Sequence, residues 1–135
     1  MPRRLLPTRP RPIFLGLTLA LLAVVTTATV VLAQARRDFD VVARKYSFRV
    51  AGADVPEIHV AQNDLVHITF STEDIPHSFT IEEAPYRIMR RAEPGKPVSF
   101  DFRADQPGRF RFFCNLTIDE KCREMQGTLV VERSR

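Results

Sequence analysis

The chain has no tryptophan, two cysteines and only five glycines among its 135 residues. Two cysteines are too few for a disulfide scaffold, and the seven residues between Cys114 and Cys122 fit no common zinc pattern. No glycine-rich phosphate loop, internal repeat or low-complexity tract is readable. An excess of one charge is missing as well. The formal charge is +4, but Arg3, Arg4, Arg9 and Arg11 supply all of it. Residues 36–135 hold 16 Lys and Arg against 16 Asp and Glu. A neutral body has no field to draw in a phosphate backbone, which argues against nucleic acid as a partner. No Ser-His-Asp set, paired carboxylates or open zinc site can be read, so catalysis by the chain alone is not expected.

Charge is also absent between Pro12 and Ala35. Residues 13–33 form a run of 21 largely apolar residues behind an arginine-rich start. A membrane span needs about 20 such residues, and the arginines would stay on the cytoplasmic side. A cleaved secretory signal has a shorter apolar stretch, about 7–15 residues, and then a small-x-small site. Ala33-Gln34-Ala35 suits cleavage before Arg36. Residues 1–35 are therefore read as a signal peptide or a membrane anchor, and residues 36–135 as one domain. Either fate puts that domain in the periplasm or another extracytoplasmic space, tethered through residues 13–33 if the leader is kept.

What the domain does contain is nine of the chain's ten Phe, both Tyr and many β-branched residues. Short segments rich in Val, Ile, Phe and Thr alternate with turn signals. The predicted strands are 41–48, 57–60, 65–71, 77–81, 98–103, 109–113 and 128–132. Alternation is clearest in 65–71, where Val66, Ile68 and Phe70 share one face while Leu65, His67 and Thr69 share the other. Pro94-Gly95 and Pro107-Gly108 mark turns, because proline fixes one φ and glycine accepts a positive one. Residues 85–91 are predicted to form a turn or a short helix. Seven short strands at regular spacing predict an all-β sandwich or barrel.

Four residues have side chains suited to a soft metal: His77, Cys114, Cys122 and Met125. The last three lie between the predicted strands 109–113 and 128–132, so the flanking strands fix both ends of their loop. His77 opens another strand, and a sandwich can bring a strand end beside that loop. Thiolate, imidazole and thioether together favour copper, above all Cu(I), over magnesium or calcium. The other histidines, His59 and His67, fall on strands and are expected to face solvent or an interface. Asp119, Glu120, Lys121, Arg123 and Glu124 read as a solvated loop surface.

Residues from about 41 to 132 resemble a cupredoxin, and more closely the copper-bearing extramembrane domain of cytochrome c oxidase subunit II. The resemblance is carried by Asp74-Ile75-Pro76-His77-Ser78-Phe79, similar to the family's D-x-x-H-S-F around its first histidine ligand. It continues in the two Pro-Gly turns, in the aromatic run 110–113 leading to Cys114-Asn115, and in Met125-x-Gly127-Thr128-Leu129-Val130-Val131. The resemblance implies a cupredoxin-like Greek-key β-sandwich of about seven strands behind an N-terminal hydrophobic helix. It also implies electron transfer by bound copper, with a redox partner protein, in the manner of a respiratory oxidase subunit.

The family's dinuclear CuA loop reads C-x3-C-x3-H-x2-M. Counted from Cys114, that pattern wants Cys at 118, His at 122 and Met at 125. Here Ile118 stands in place of the second bridging cysteine, and Cys122 in place of the histidine. Cys114 and Met125 keep the spacing. The expected site is a rebuilt mononuclear copper centre held by His77, Cys114, Cys122 and Met125, with an altered two-copper cluster as a variant of it. Two other readings stay open. One is a copper carrier that exchanges the ion with a donor or acceptor protein. The other is a metal-free structural domain in which Cys114 and Cys122 form a disulfide, as an oxidising compartment would permit.

Overall fold

The computed structural model describes residues 35–134. The hydrophobic segment 13–33, and with it the choice between signal and anchor, lies outside the described residues. Among the described residues no helix is long and apolar enough to cross a membrane.

Nine strands form: β1 (Arg36–Arg44), β2 (Ser47–Val50), β3 (Glu57–Ala61), β4 (Leu65–Thr72), β5 (His77–Ile81), β6 (Ile88–Ala92), β7 (Val98–Arg103), β8 (Gly108–Phe113) and β9 (Gln126–Glu132). They make a four-stranded sheet, ordered β2-β1-β4-β7, facing a five-stranded sheet, ordered β3-β9-β8-β5-β6. The only helical element among the described residues is a short 3-10 turn, Glu120–Glu124.

The count corrects the expected seven in two places. The predicted strand 41–48 is two strands, because Lys45-Tyr46 turns the chain and Val41 pairs with Val50. Residues 85–91, expected as a turn or short helix, run into strand β6 from Ile88, paired antiparallel with β5. Its exposed centre, Met89-Arg90-Arg91, breaks the alternation. An edge strand tolerates this because one side meets water, and charge there discourages pairing with another chain.

Alternation builds the core. Strand β4 buries Val66, Ile68, Phe70 and Thr72 and leaves the residues between them partly exposed, as a sheet with one covered face requires. Strand β5 sits between β8 and β6 and is buried at all five positions. Phenylalanines fill the space between the sheets. Phe79 stacks on Phe112 with centroids 4.7 Å apart and an interplanar angle of 20°. Phe48 meets Phe112 edge-on at 5.2 Å, and Phe79 also packs on Phe70 at 6.1 Å and Phe100 at 5.5 Å. Such pairs contribute about 0.5–1.5 kcal/mol each beyond the area they bury.

Candidate metal centre

Side chains two apart on a strand point the same way. His77 therefore shares the inner face of β5 with Phe79, and Cys114, just past the end of β8, continues the face that carries Phe112. The Phe79–Phe112 stack joins these two faces. One step beyond it, at the end of the sandwich, His77 and Cys114 meet. The chain then leaves β8, makes the 3-10 turn that carries Cys122, and re-enters the sheet as β9. Strands β8 and β9 are paired up to Phe113 and Gln126, so the intervening loop is pinned at both ends.

The sequence singled out four residues, and the structure buries all of them: His77, Cys114 and Cys122 completely, Met125 nearly so. His77 Nδ1 lies 3.8 Å from the Cys114 Sγ and 3.8 Å from the Cys122 Sγ. The three donor atoms all fall within 4.8 Å of one another. Met125 is fastened to both cysteines through its backbone: its carbonyl accepts from the Cys114 N–H at 3.4 Å, and its N–H donates to the Cys122 carbonyl at 3.2 Å. Both cysteines are free thiols.

Asp74 orients the imidazole. Its carboxylate accepts from His77 Nε2 at 2.9 Å, from the Ile75 N–H at 2.7 Å and from the Lys45 N–H at 2.7 Å. Burial pushes the Asp74 pKa up, but the two backbone donors and the imidazole outweigh it and bring the value down to about 2. An ionised carboxylate only accepts, so Nε2 carries the ring proton. Nδ1 faces the two sulfurs, the aim that a metal-binding histidine needs.

The donor set fits a soft cation. Two sulfurs and an imidazole nitrogen converge in a buried cage, and these are donors that suit a soft cation, whereas magnesium and calcium take oxygen ligands. Burial first, then the neighbouring Cys114 sulfur, push the Cys122 thiol up to about 11, so without a cation it keeps its proton at neutral pH. A bound metal reverses this, because a coordinating thiol is deprotonated outright.

A second brace links the segments that carry His77 and Cys114. The Ser78 hydroxyl donates to Asn115 Oδ1 at 2.7 Å and accepts the Asn115 N–H at 2.9 Å, which ties the residue after His77 to the residue after Cys114. Outside the cluster, His59 is exposed and lies 2.8 Å from Glu57, and the partly exposed His67 lies 2.7 Å from Asp101. Ile118 is 56% exposed. The expected solvated surface at 119–124 needs one correction. Asp119 is half-buried, caps the 3-10 turn by accepting from the Lys121 N–H at 3.0 Å, and accepts the Tyr46 hydroxyl at 2.6 Å.

The sequence alone assigns no role to Asp74, although it opens the D-x-x-H motif. A carboxylate three residues before a ligand histidine, across a tight turn, is the signal that would have found it. The parts played by Tyr46 and Asn115 have no local signal at all.

The sequence profile of the cupredoxin-like domain matches residues 15–131. No curated protein matches the chain. Among solved structures, the chain is similar to one in a heme-copper terminal oxidase dimer, with 24% identity and a TM-score of 0.63 over 74% of this chain and 66% of that one. It is also similar to the periplasmic domain of subunit II of cytochrome oxidase from Bradyrhizobium japonicum, with 15% identity and a TM-score of 0.62 over 72% and 84% of the two chains. A third is auracyanin A, a blue copper protein of Chloroflexus aurantiacus, with 17% identity and a TM-score of 0.56 over 73% of this chain and all of that one. At these identities the likeness is one of fold.

Proposed function

This chain belongs to the cupredoxin-like family, and on that premise we propose that it is an exported copper-binding domain that carries electrons, with one copper ion held by His77, Cys114, Cys122 and Met125. The observation that carries the reading is the buried cluster in which one imidazole nitrogen stands 3.8 Å from each of two thiols. Copper bound there would supply a one-electron couple. The protein's part is to hold the donors still and dry. Asp74 fixes the tautomer and aim of His77, the Ser78–Asn115 brace sets the spacing of the two ligand segments, and the Phe79–Phe112 stack closes the inner side against water. A cage that hardly moves keeps the rearrangement between two oxidation states small.

Solved relatives of this fold include a periplasmic oxidase domain and a blue copper protein, which supports an extracytoplasmic site of action and a redox partner protein. The sulfur-rich donor set favours a second reading, a Cu(I) carrier that hands its ion to another protein.

Metal analysis of the purified, reduced protein separates the readings. Electron transfer predicts one copper per chain, a reversible couple and an intense thiolate-to-copper absorption band, all lost in Cys114→Ser. A carrier predicts tight Cu(I) binding with no stable Cu(II) form. Absence of bound copper, together with no free thiols in the protein as isolated, would leave only the disulfide-bonded structural domain.

A further inference from the structure

The turn between β1 and β2 lies far in sequence from every candidate ligand, yet it touches the supports of two of them. The Lys45 N–H donates to Asp74 Oδ2 at 2.7 Å, and Asp74 holds His77 through its other oxygen. One residue on, the Tyr46 hydroxyl donates to Asp119 Oδ2 at 2.6 Å. Asp119 caps the turn that carries Cys122, and the Cys122 N–H donates to the Asp119 carbonyl at 3.1 Å. The Lys121 ammonium lies 5.4 Å from the centre of the Tyr46 ring, a second contact between the same two segments. The short hydroxyl–carboxylate bond is charge-assisted: Tyr46 holds the Asp119 carboxyl below its ordinary range, with help from the Lys121 N–H.

We propose that Tyr46 is a positioning residue for the metal centre: the Lys45-Tyr46 turn clasps the His77 support on one side and the Cys122 loop on the other, and so fixes the reach between imidazole and thiol. The proposal rests on the reading of His77, Cys114 and Cys122 as a copper site. The loop 114–125 is paired with strands only at its ends; between them the Arg111 guanidinium of β8 donates to the Arg123 carbonyl at 3.3 Å, which holds the loop from its own sheet. Cys122 depends on its short turn, and the Tyr46 hydroxyl fastens that turn to the opposite sheet. Without the hydroxyl the turn can swing outward, which exposes the Cys122 sulfur and spreads the donor set. Cys114 sits beside paired strand and is insulated from this.

The test reads thiol access in the reduced, metal-free full chain and needs no copper. In Tyr46→Phe, labelling of Cys122 by N-ethylmaleimide, followed by peptide mass mapping, should quicken about tenfold, the size expected for loss of one charged hydrogen bond. Cys114 labelling should change much less, and the melting temperature should fall only by the few degrees that one hydrogen bond is worth. In an Asp119→Ala background, Tyr46→Phe should add nothing, because the partner is already gone. Cu(I) affinity, from competition with a chromophoric chelator, should fall by about the same factor. Unchanged Cys122 labelling in Tyr46→Phe overturns the clasp, even if the wild-type chain binds copper. Equal quickening at both cysteines overturns it too, since that is general loosening. Selective quickening at Cys122 in a chain that binds no copper keeps the mechanical coupling, but it refutes both the copper reading and Tyr46's role in it.

Discussion

Asp74 shows how a residue outside a donor cluster can set the aim of one inside it. Its ionised carboxylate keeps the proton of His77 on Nε2 and turns Nδ1 towards the sulfurs. Asp74→Asn keeps the size but loses the charge, and the amide can present its NH2 group to the ring instead. Copper affinity should then fall by about 10- to 100-fold, the usual cost of losing a ligand's orienting partner, as measured by chelator competition. Cys122→His tests the ligand set directly. It should move the absorption spectrum towards that of a Cys-His-His site with an axial Met; a spectrum identical to wild type would place Cys122 outside the ligands. The gathering of His77, Cys114 and Cys122 was legible in the sequence, because residue type and spacing marked them as donors that one end of a sandwich can bring together. Asp74 was half legible, present in a quoted motif without a role. Tyr46 was not legible, because its contact with Asp119 exists only once two distant loops are folded together.

Among the elements, β8 and β9 matter most for the site. Gly127 faces Phe112 across the pair, and a Cβ there would run into the Phe112 ring and the Pro56 carbonyl. Gly127→Ala should cost about 1–3 kcal/mol, the range for overpacking a filled core, read from the denaturation midpoint. It should also disturb copper binding, because Phe112 lies two residues before Cys114 and stacks on Phe79, two residues after His77. Short apolar segments bounded by turn signals were placed by sequence almost to the residue, β5 and β7 among them. Strand β6 was missed because its outward arginines hide the period, and the β1–β2 hairpin was missed because Lys45-Tyr46 lacks the usual turn residues.

At the scale of the whole molecule, residues 36–135 balance 16 basic against 16 acidic side chains. Much of this charge is paired locally, as in Arg49 with Glu73 at 3.0 Å and Arg109 with Glu57 at 2.7 Å. The domain should therefore pass through immobilised DNA without retention at about 0.15 M salt, where the Debye length is about 8 Å; elution only at high salt would show a basic face that the pairing does not reveal. The fold itself was legible at this scale as an all-β sandwich, since composition and turn spacing constrain architecture more tightly than they constrain any one contact.

The pairing of β8 with β9 has a wider consequence. Because those strands close the gap between Phe113 and Gln126, residues 114–125 behave as a cassette set into a finished frame. Exchanging Ile118 for cysteine and Cys122 for histidine would restore the two-thiolate CuA spacing while leaving every rung of the β8–β9 ladder in place. Substitutions confined to that stretch should therefore change its donor atoms without removing a single β8–β9 pairing.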